Sequence, residues 1–243
     1  PIAAAAILAM ADSGRVNLDT PIAAYLDGTT AGNTQLASEI TLRQLLNHTS
    51  GLPVQPACIE DQMNTTLENC ATSILQGGRT FADGNFAYGG GGYQVAGYVA
   101  TVVENRSWGD IVARRIGTPV GMSSLTYGPT ANPRVAGGAA ASLVDLARFQ
   151  RMMTGNGNIN GQQVLSTATV NRLRTVNEIE GATVIVKPGD VTADGYAFGW
   201  WQEDPTEHPG SAGPEISAPG AFGTVPWIDY DRGYRATLVL RQA

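Results

Sequence analysis

The sequence has 243 residues, 43% of them hydrophobic and 15% charged, so it can form one large packed domain or two small ones. Its 21 acidic residues outnumber its 15 lysine and arginine residues, and the net charge is -6. Because no run of basic residues occurs, nucleic acid and anionic membrane surfaces are poor candidate partners. Apolar segments such as residues 1–11 are too short to cross a bilayer, so no membrane span is predicted.

The N-terminal third contains three helical patterns. PIAAAAILAMADSG predicts a helix that is apolar on nearly every side, is therefore buried, and ends at Gly14. No capping residue precedes this helix, which places its expected first turn upstream of Pro1. VNLDTPIAAYL predicts a short helix with Thr20 as its N-cap and Pro21 at its first position. ITLRQLLNHTSGLP predicts a helix that Thr41 caps and that a Ser-Gly pair ends.

The middle of the chain is predominantly helical. Apolar periodicity predicts helices over residues 93–105, 108–116 and 141–153. Ser142 is the expected N-cap of the third helix. The apolar residues expected to point inward on that helix are Leu143, Leu146, Phe149 and Met152 or Met153.

From about residue 182 the pattern changes to short aromatic or β-branched runs divided by Gly, Pro and Asp, which is typical of strands. The runs are ATVIVK, GYAFGWWQE, GAFGTVPWID and YRATLVLRQ, and YDRG predicts a hairpin turn between the last two. Helices followed by antiparallel strands predict an α+β fold: a sheet flanked by helices, plus a mainly helical subdomain. We assign the sheet subdomain to residues 1–30 and 182–243, and the helical subdomain to residues 31–181.

Cys58 and Cys70 are the only cysteines, and they flank a polar segment without a CxxC spacing. We expect a disulfide between them, because free cysteines usually pack as small hydrophobic residues; two buried thiols are the alternative. A disulfide is typical of proteins that lie outside the cytosol.

Motifs for metals, cofactors and a classical nucleophile are weak. His48 and His208 are the only histidines, and neither lies in a metal-binding pattern, so no metal is predicted. The glycines at 89–92 lack a phosphate or dinucleotide pattern, so no cofactor is predicted. We interpret His48 as a hydrogen-bonding residue at a helix end, and His208 as a loop residue. PGSAG resembles a nucleophile elbow, but Pro209 replaces the first glycine, and Ser211 is interpreted as a loop residue.

Six segments together resemble one enzyme family. They are, in chain order, GRVNLDTPIAAYL, ITLRQLLNHTSGLP, FAYGGGGYQVAGYVA, VAGGAAASLVDLARF, YAFGWW and GAFGTVPWIDYDRG. Their order is similar to that of the serine β-lactamase-like hydrolases, which comprise class C β-lactamases, D-alanyl-D-alanine carboxypeptidases and related esterases. The resemblance covers nearly the whole chain, and LLNHTSGLP is its most specific part. It implies a helical domain beside an antiparallel sheet, with the active site between them.

The family's first catalytic element is a Ser-x-x-Lys at the start of a buried helix, where the serine is acylated and the lysine helps to activate it. No serine in this sequence has a lysine three positions later, and Lys187 is the only lysine. The resemblance implies that the pair lies immediately before Pro1. One alternative is that this N-terminal segment has been cut and stays bound as a separate polypeptide. Another is a catalytically inactive homologue that binds ligands.

The second element is a Tyr-x-Asn motif whose phenol exchanges a proton with the nucleophile and the leaving group. Tyr88 matches the tyrosine, whereas Gly90 stands where asparagine is usual, so a substrate-contacting amide is absent. A tyrosinate-like base needs a nearby cation to lower its pKa, and the missing lysine is the natural source. We expect the four glycines to let the backbone bend beside the phenol and to leave the cleft open; a flexible loop is the alternative.

The third element is a Lys-Thr-Gly or His-x-Gly on a strand that lines the cleft. Ala218, Pro219 and Gly220 align with it, so the cation that would hold a substrate carboxylate is absent. The backbone N–H of Ala221 is the expected donor for half of an oxyanion hole. The alternative is an ordinary core strand. Losing the cation favours neutral esters or amides over acidic substrates.

The resemblance therefore implies a serine hydrolase that acts on a small-molecule ester or amide through an acyl-enzyme, in the periplasm or secreted from a bacterial cell. A β-lactamase or D-alanyl carboxypeptidase is the first alternative, and an inactive binding homologue is the second. Trp200, Trp201 and Trp227 either line an apolar substrate pocket or belong to the core.

Overall fold

The computed structural model describes residues 1–189, 191–203 and 213–240. Helices fill the first three quarters of the chain, and most strands follow them. The α-helices are α1 (Ile2–Asp12), α2 (Leu42–Leu46), α3 (Leu67–Gly77), α4 (Gly91–Glu104), α5 (Trp108–Val112), α6 (Thr118–Val120), α7 (Leu143–Thr154) and α8 (Thr167–Thr175). The strands are β1 (Phe86–Ala87), β2 (Asn158–Ile159), β3 (Gln162–Gln163), β4 (Val184–Val186), β5 (Gly195–Ala197), β6 (Trp200–Gln202), β7 (Glu215–Ser217), β8 (Thr224–Asp229) and β9 (Tyr234–Val239).

Helix α1 is the centre of the core, as its all-round apolar sequence predicts. Every residue from Ile2 to Met10 is buried. The helix contacts α4, α5 and the single π-helical turn over residues 113–117. Gly14 follows the helix with a φ of 71°, a left-handed conformation that glycine adopts without a Cβ clash. This helix therefore carries its N-terminal end into the middle of the molecule.

The main sheet has five antiparallel strands in the order β5-β6-β7-β8-β9. Trp201 of β6 pairs with Tyr196 of β5 on one side and with Ser217 of β7 on the other. The residues between β8 and β9 form a turn in which Gly233 has a φ of 70°. These observations confirm the predicted α+β fold, its antiparallel sheet and its terminal hairpin.

Strand β4 forms where ATVIVK predicts a strand, but it pairs outside the main sheet. It runs parallel to β1, with Phe86 opposite Val184 and Ala87 opposite Val186. The backbone N–H of Tyr88 then donates to the carbonyl of Val186 across 3.0 Å. This pairing brings β4 to the residue that the family resemblance marks as catalytic.

The two N-terminal capping predictions have different outcomes. Thr41 caps α2: its hydroxyl accepts from the N–H of Gln44 at 3.3 Å, and the Gln44 side chain accepts from the N–H of Thr41 at 2.9 Å. Thr20 is not a cap. The helix that follows is a 3₁₀ turn over Ile22–Tyr25 whose N-cap is Pro21, and no side chain caps it.

Helix α7 packs against β8 and β9, and Ser142 caps it by accepting from the N–H of Asp145 at 3.2 Å. Its inward residues include Phe149, Met152 and Met153, as predicted. Leu143 is 55% exposed, so the prediction for this residue is wrong. Gln150 donates to the carbonyls of Trp227 in β8 and Ala236 in β9, so this turn of α7 lies against both strands.

Helices α3 and α8 have no counterpart in the sequence analysis. Each begins after a capping hydroxyl, Thr66 for α3 and Ser166 for α8. Polar residues interrupt the apolar periodicity of both segments. The capping residues Thr66 and Ser166 are therefore the clearer indication in the sequence that helices begin there. In the part of the chain that the structure describes, none of the helices has the length and hydropathy needed to cross a membrane.

Candidate active site

Tyr88 lies between β1 and the start of α4, at the surface where the helical region meets β4 and the main sheet. Its ring is half-buried. The backbone bond to Val186 fixes it on one side, and the glycine segment 89–92 follows it directly. The segment therefore determines how closely other parts of the chain approach the phenol.

The glycines serve close packing rather than a left-handed backbone. A Cβ on Gly89 would lie 2.4 Å from the Val54 backbone, and one on Gly91 would lie 2.1 Å from the carbonyl oxygen of Pro53. Gly92 is similarly crowded by the backbone of Leu45, at 2.6 Å. The backbone of Pro53 and Val54 thus packs directly on the turn after Tyr88. At this turn the glycines allow close packing; they do not leave the cleft open as expected.

Gly90 differs from its neighbours. Its φ is -84°, and a Cβ there would meet only the Cδ1 atom of Ile59 at 3.0 Å and the Val54 carbonyl oxygen at 3.9 Å. Its backbone N–H donates to the carbonyl of Val54 across 2.6 Å. Gly90 therefore has more room for a side chain than Gly89, Gly91 or Gly92.

Tyr88 belongs to a group of rings that we call the aromatic cluster. Its members are His48, Phe86, Tyr88, Tyr93, Tyr196 and Trp201. The ring of Tyr88 lies 4.7 Å from that of His48 and 5.3 Å from that of Trp201, measured between centroids. Residues from α2's C-terminal end, β1, α4, β5 and β6 thus meet at one place, which local sequence patterns do not reveal.

His48 is the polar centre of the aromatic cluster. It is buried and has a φ of 57°. The N–H of Gly89 donates to its Nδ1 at 3.4 Å, and its Nε2 lies 2.9 Å from the hydroxyl of Tyr196. Because Nδ1 accepts, neutral His48 carries its proton on Nε2 and donates it to Tyr196. The sequence analysis expected local bonding at a helix end, whereas these partners are distant in the chain.

Burial controls the protonation of the cluster. It lowers the pKa of His48 to about 3. Burial also raises the pKa of Tyr88, of Tyr93 and of Tyr196. Near neutral pH the histidine is therefore neutral and the phenols are protonated, so a tyrosinate at Tyr88 requires a cation close to its oxygen.

The N-terminal end of α1 reaches the same place. Gly199 has a φ of 91°, and a Cβ there would lie 3.1 Å from the nitrogen of Pro1 and 3.2 Å from the hydroxyl of Tyr93. Since Tyr93 stacks on His48 at 5.1 Å, the start of α1 and Tyr88 lie on the same aromatic cluster.

The predicted substrate-binding residues Ala218, Gly220 and Ala221 lie just after β7. The N–H of Ala218 donates to the carbonyl of Pro226 at 3.0 Å, and that of Gly220 donates to Thr224 at 2.9 Å. Ala221 lies in the exposed turn that leads to β8. Strand β7 is connected to the aromatic cluster through the pairing of Trp201 with Ser217. Roles for these residues and for Gly90 remain predictions.

The three tryptophans occupy different surroundings. Trp200 is buried and stacks on Phe149 of α7, whereas Trp201 is buried in the aromatic cluster beside Tyr88. Trp227 donates through its indole nitrogen to the carboxylate of Glu215. Trp200 is therefore a core residue, and Trp201 is the tryptophan that lies beside Tyr88.

The predicted disulfide is present. Cys58 and Cys70 are bonded, with Cα atoms 5.3 Å apart, so the alternative of two thiols is excluded. His208 and Ser211 lie outside the described residues. Among the residues that are described, no three His, Cys, Asp or Glu side chains gather in a way that would hold a metal ion.

Comparison with known proteins agrees with this architecture. A family model described as Beta-lactamase matches residues 1–243. Penicillin-binding protein 4 of Amycolatopsis lactamdurans is 26% identical over 247 residues, which cover 87% of this chain and 64% of that protein. The chain thus spans less than two thirds of the length of this relative.

Two solved structures extend the comparison. A beta-lactamase-like protein of Bacteroides dorei superposes with a TM-score of 0.78 at 28% identity, over 100% of this chain and 76% of that one. EstCE1, a hydrolase with promiscuous acyltransferase activity, shares the fold with a TM-score of 0.74 at 17% identity, over 99% of this chain and 77% of that one. Because the family model spans every residue, this chain belongs to the beta-lactamase-like family of hydrolases.

Proposed function

We propose that the protein is a serine hydrolase that cleaves an ester or amide through an acyl-enzyme. The observation that carries this proposal is the meeting of the N-terminal end of α1 with the aromatic cluster that contains Tyr88. In this family that helix end carries the Ser-x-x-Lys pair, and the proposal places the pair immediately before Pro1. The serine would attack the carbonyl carbon, and Tyr88 with the lysine would carry the proton to the leaving group.

The charge of the lysine answers the electrostatic requirement at Tyr88. Burial raises the pKa of this phenol, so Tyr88 alone is a poor base at neutral pH. An ammonium group beside the phenol oxygen would stabilise the tyrosinate and lower its pKa. The backbone N–H of Ala221 and that of the serine would stabilise the oxyanion. Water would then attack the acyl-enzyme and release the acid.

An ester is the first substrate to test, because Ala218 and Gly90 stand where the family has two polar side chains that contact the substrate. The full-length protein, including the segment before Pro1, is assayed with p-nitrophenyl butyrate. We expect a burst of p-nitrophenol and an added acyl mass on the protein. Tyr88→Phe should lower kcat by about 10²- to 10⁴-fold, the usual contribution of a general acid or base. Tyr234→Phe is the matched control, since this tyrosine is 62% exposed on β9.

A β-lactamase or D-alanyl carboxypeptidase is the second candidate, favoured by the relative that is named a penicillin-binding protein. Rapid turnover of a cephalosporin with no hydrolysis of the neutral ester would reverse the order of the two candidates. If neither compound is turned over and no acyl mass appears, an inactive binding homologue is the correct description. Each result thus selects one reading.

We place the protein in the periplasm or outside the bacterial cell. The Cys58–Cys70 disulfide supports this location, because disulfides persist in oxidising compartments. Fractionation of the producing cells tests it, and recovery of the protein with reduced thiols from the cytosol would contradict it.

A further inference from the structure

Lys187, the only lysine in the sequence, directly follows β4, the strand that pairs with the residues before Tyr88. Its preceding residue, Val186, accepts the backbone hydrogen bond of Tyr88 at 3.0 Å. The Nζ atom of Lys187 lies 5.9 Å from the centroid of the Trp201 ring, and that ring lies 5.3 Å from the ring of Tyr88. The parallel pairing of β1 with β4 therefore brings a cation to the candidate active site from a part of the chain outside the family's catalytic motifs.

The ammonium group is held in place without being enclosed. The side chain of Lys187 is 24% exposed, its Nζ donates to the carbonyl of Thr192 at 3.1 Å, and Trp201 lies at cation–π distance. An ammonium group has three N–H donors, and among the described residues only the Thr192 carbonyl accepts a hydrogen bond from this one, so a further acceptor can be accommodated. A cation that is already positioned loses little conformational entropy when a ligand binds to it.

In the described part of the chain, the carboxylate paired with Lys187 is a weak competitor for a ligand. Asp194 Oδ1 lies 3.6 Å from Nζ, and the Asp194 side chain is 89% exposed. Ion pairs with such exposed partners contribute little, because water solvates the carboxylate equally well when the pair is broken. A ligand carboxylate that also packs on the site can therefore displace Asp194.

We propose that Lys187 binds a carboxylate of the substrate, so that the enzyme prefers an ester or amide whose acyl part carries a negative charge. This inference rests on the proposed hydrolase function and deepens it. The family's cation is absent at Ala218, and Lys187 supplies one from β4 instead. The neutral ester would still be hydrolysed, but less efficiently than its charged counterpart.

The test compares two esters that differ in charge, p-nitrophenyl butyrate and mono-p-nitrophenyl glutarate, with the full-length protein. In Lys187→Gln, kcat/KM for the glutarate ester should fall about tenfold, mainly through KM, as expected for the loss of one charge-assisted hydrogen bond. The butyrate ester should change less than about twofold, because it has no carboxylate to lose a contact. Lys187→Arg should retain most of the preference, and Asp194→Asn should strengthen it by removing the competing carboxylate.

An equal loss for both esters in Lys187→Gln would overturn the inference, because it would indicate a structural role. So would an unchanged ratio between the two esters. If the parent protein hydrolyses neither ester, the proposed function fails, and a binding measurement tests Lys187 independently. Protein labelled with ¹³C-lysine is titrated with hexanoate and with hexanamide, and the Lys187 signal is assigned by its loss in Lys187→Gln. A shift with hexanoate alone supports the inference, whereas no shift with either compound, or equal shifts with both, refutes it.

Discussion

The backbone N–H of Gly89 donates a hydrogen bond to Nδ1 of His48 across 3.4 Å, which ties the residue after Tyr88 to the end of α2. The other ring nitrogen reaches Tyr196 of β5 at 2.9 Å. His48 thus connects the glycine segment to the main sheet. The neighbouring Asn47 strengthens this connection, because its side-chain oxygen accepts from the N–H of Phe198 at 2.8 Å.

Replacing His48 should lower the free energy of unfolding, and the loss should depend on how well the new residue tolerates the left-handed backbone conformation at this position. His48→Ala leaves the buried Tyr196 hydroxyl and the Gly89 N–H without their partner, and it opens a cavity, which together should lower the free energy of unfolding by about 3 kcal/mol. His48→Asn should cost less, since asparagine tolerates the φ of 57° found here. Urea unfolding monitored by circular dichroism measures both values. Equal losses in the two variants would show that the backbone conformation does not matter.

The depressed pKa of His48 predicts acid sensitivity. The folded protein keeps this ring neutral down to about pH 3, whereas the unfolded chain binds a proton as the pH falls through the ordinary value of 6.5. The stability is therefore complete above about pH 6.5, and it declines as the pH falls towards 3, by at most about 1.4 kcal/mol per pH unit from this group.

Unfolding free energies measured from pH 7.5 to pH 4 in the parent and in His48→Asn test this sign. The difference between the two proteins should shrink as the pH falls, because other titrating groups are common to both and cancel. A difference that stays constant over this range would show that His48 is protonated equally in the folded and unfolded states.

Adding a methyl group should lower the stability strongly at Gly91 and only slightly at Gly90. Gly91→Ala places a Cβ 2.1 Å from the carbonyl oxygen of Pro53, which requires the backbone to move and should cost about 2 kcal/mol or more. Gly90→Ala meets only the flexible end of Ile59 at 3.0 Å and should change the stability by less than about 1 kcal/mol. Thermal unfolding of the two variants decides the matter, and similar melting temperatures would contradict the close packing of residues 53–54 on the turn.

Removing the disulfide should destabilise the protein. The bridge closes a segment with a sequence separation of 12, for which chain-entropy estimates give about 3 kcal/mol. For a chain of 243 residues this corresponds to a decrease in Tm of roughly 6 to 12 °C. The double variant Cys58→Ser, Cys70→Ser should melt that much earlier than the parent. Reducing agent should lower the Tm of the parent and leave the variant unchanged; an equal effect on both would rule out the bridge as the cause.

Much of the local structure follows from neighbouring residues in the sequence. The uninterrupted apolar run at residues 2–10 has no polar face to present to water, so burial of α1 was determined in advance. Thr41 and Ser142 carry hydroxyls at the start of apolar periods, which is enough to cap their helices. Leu143 shows the limit of this reasoning, because which turns of α7 meet the sheet depends on the position of β8 and β9.

The sequence alone determined the α+β fold, the terminal hairpin, the disulfide and the candidacy of Tyr88, because each is encoded by residues within a short segment or by an ordered set of motifs. Only the tertiary structure decided the rest. His48 and Tyr196 are separated by 148 positions, and Lys187 approaches Tyr88 through the pairing of β1 with β4. The crowding at Gly89 and Gly91 likewise comes from residues 53–54. Such contacts depend on the path of the whole chain, since no local pattern specifies which distant side chain fills a given space.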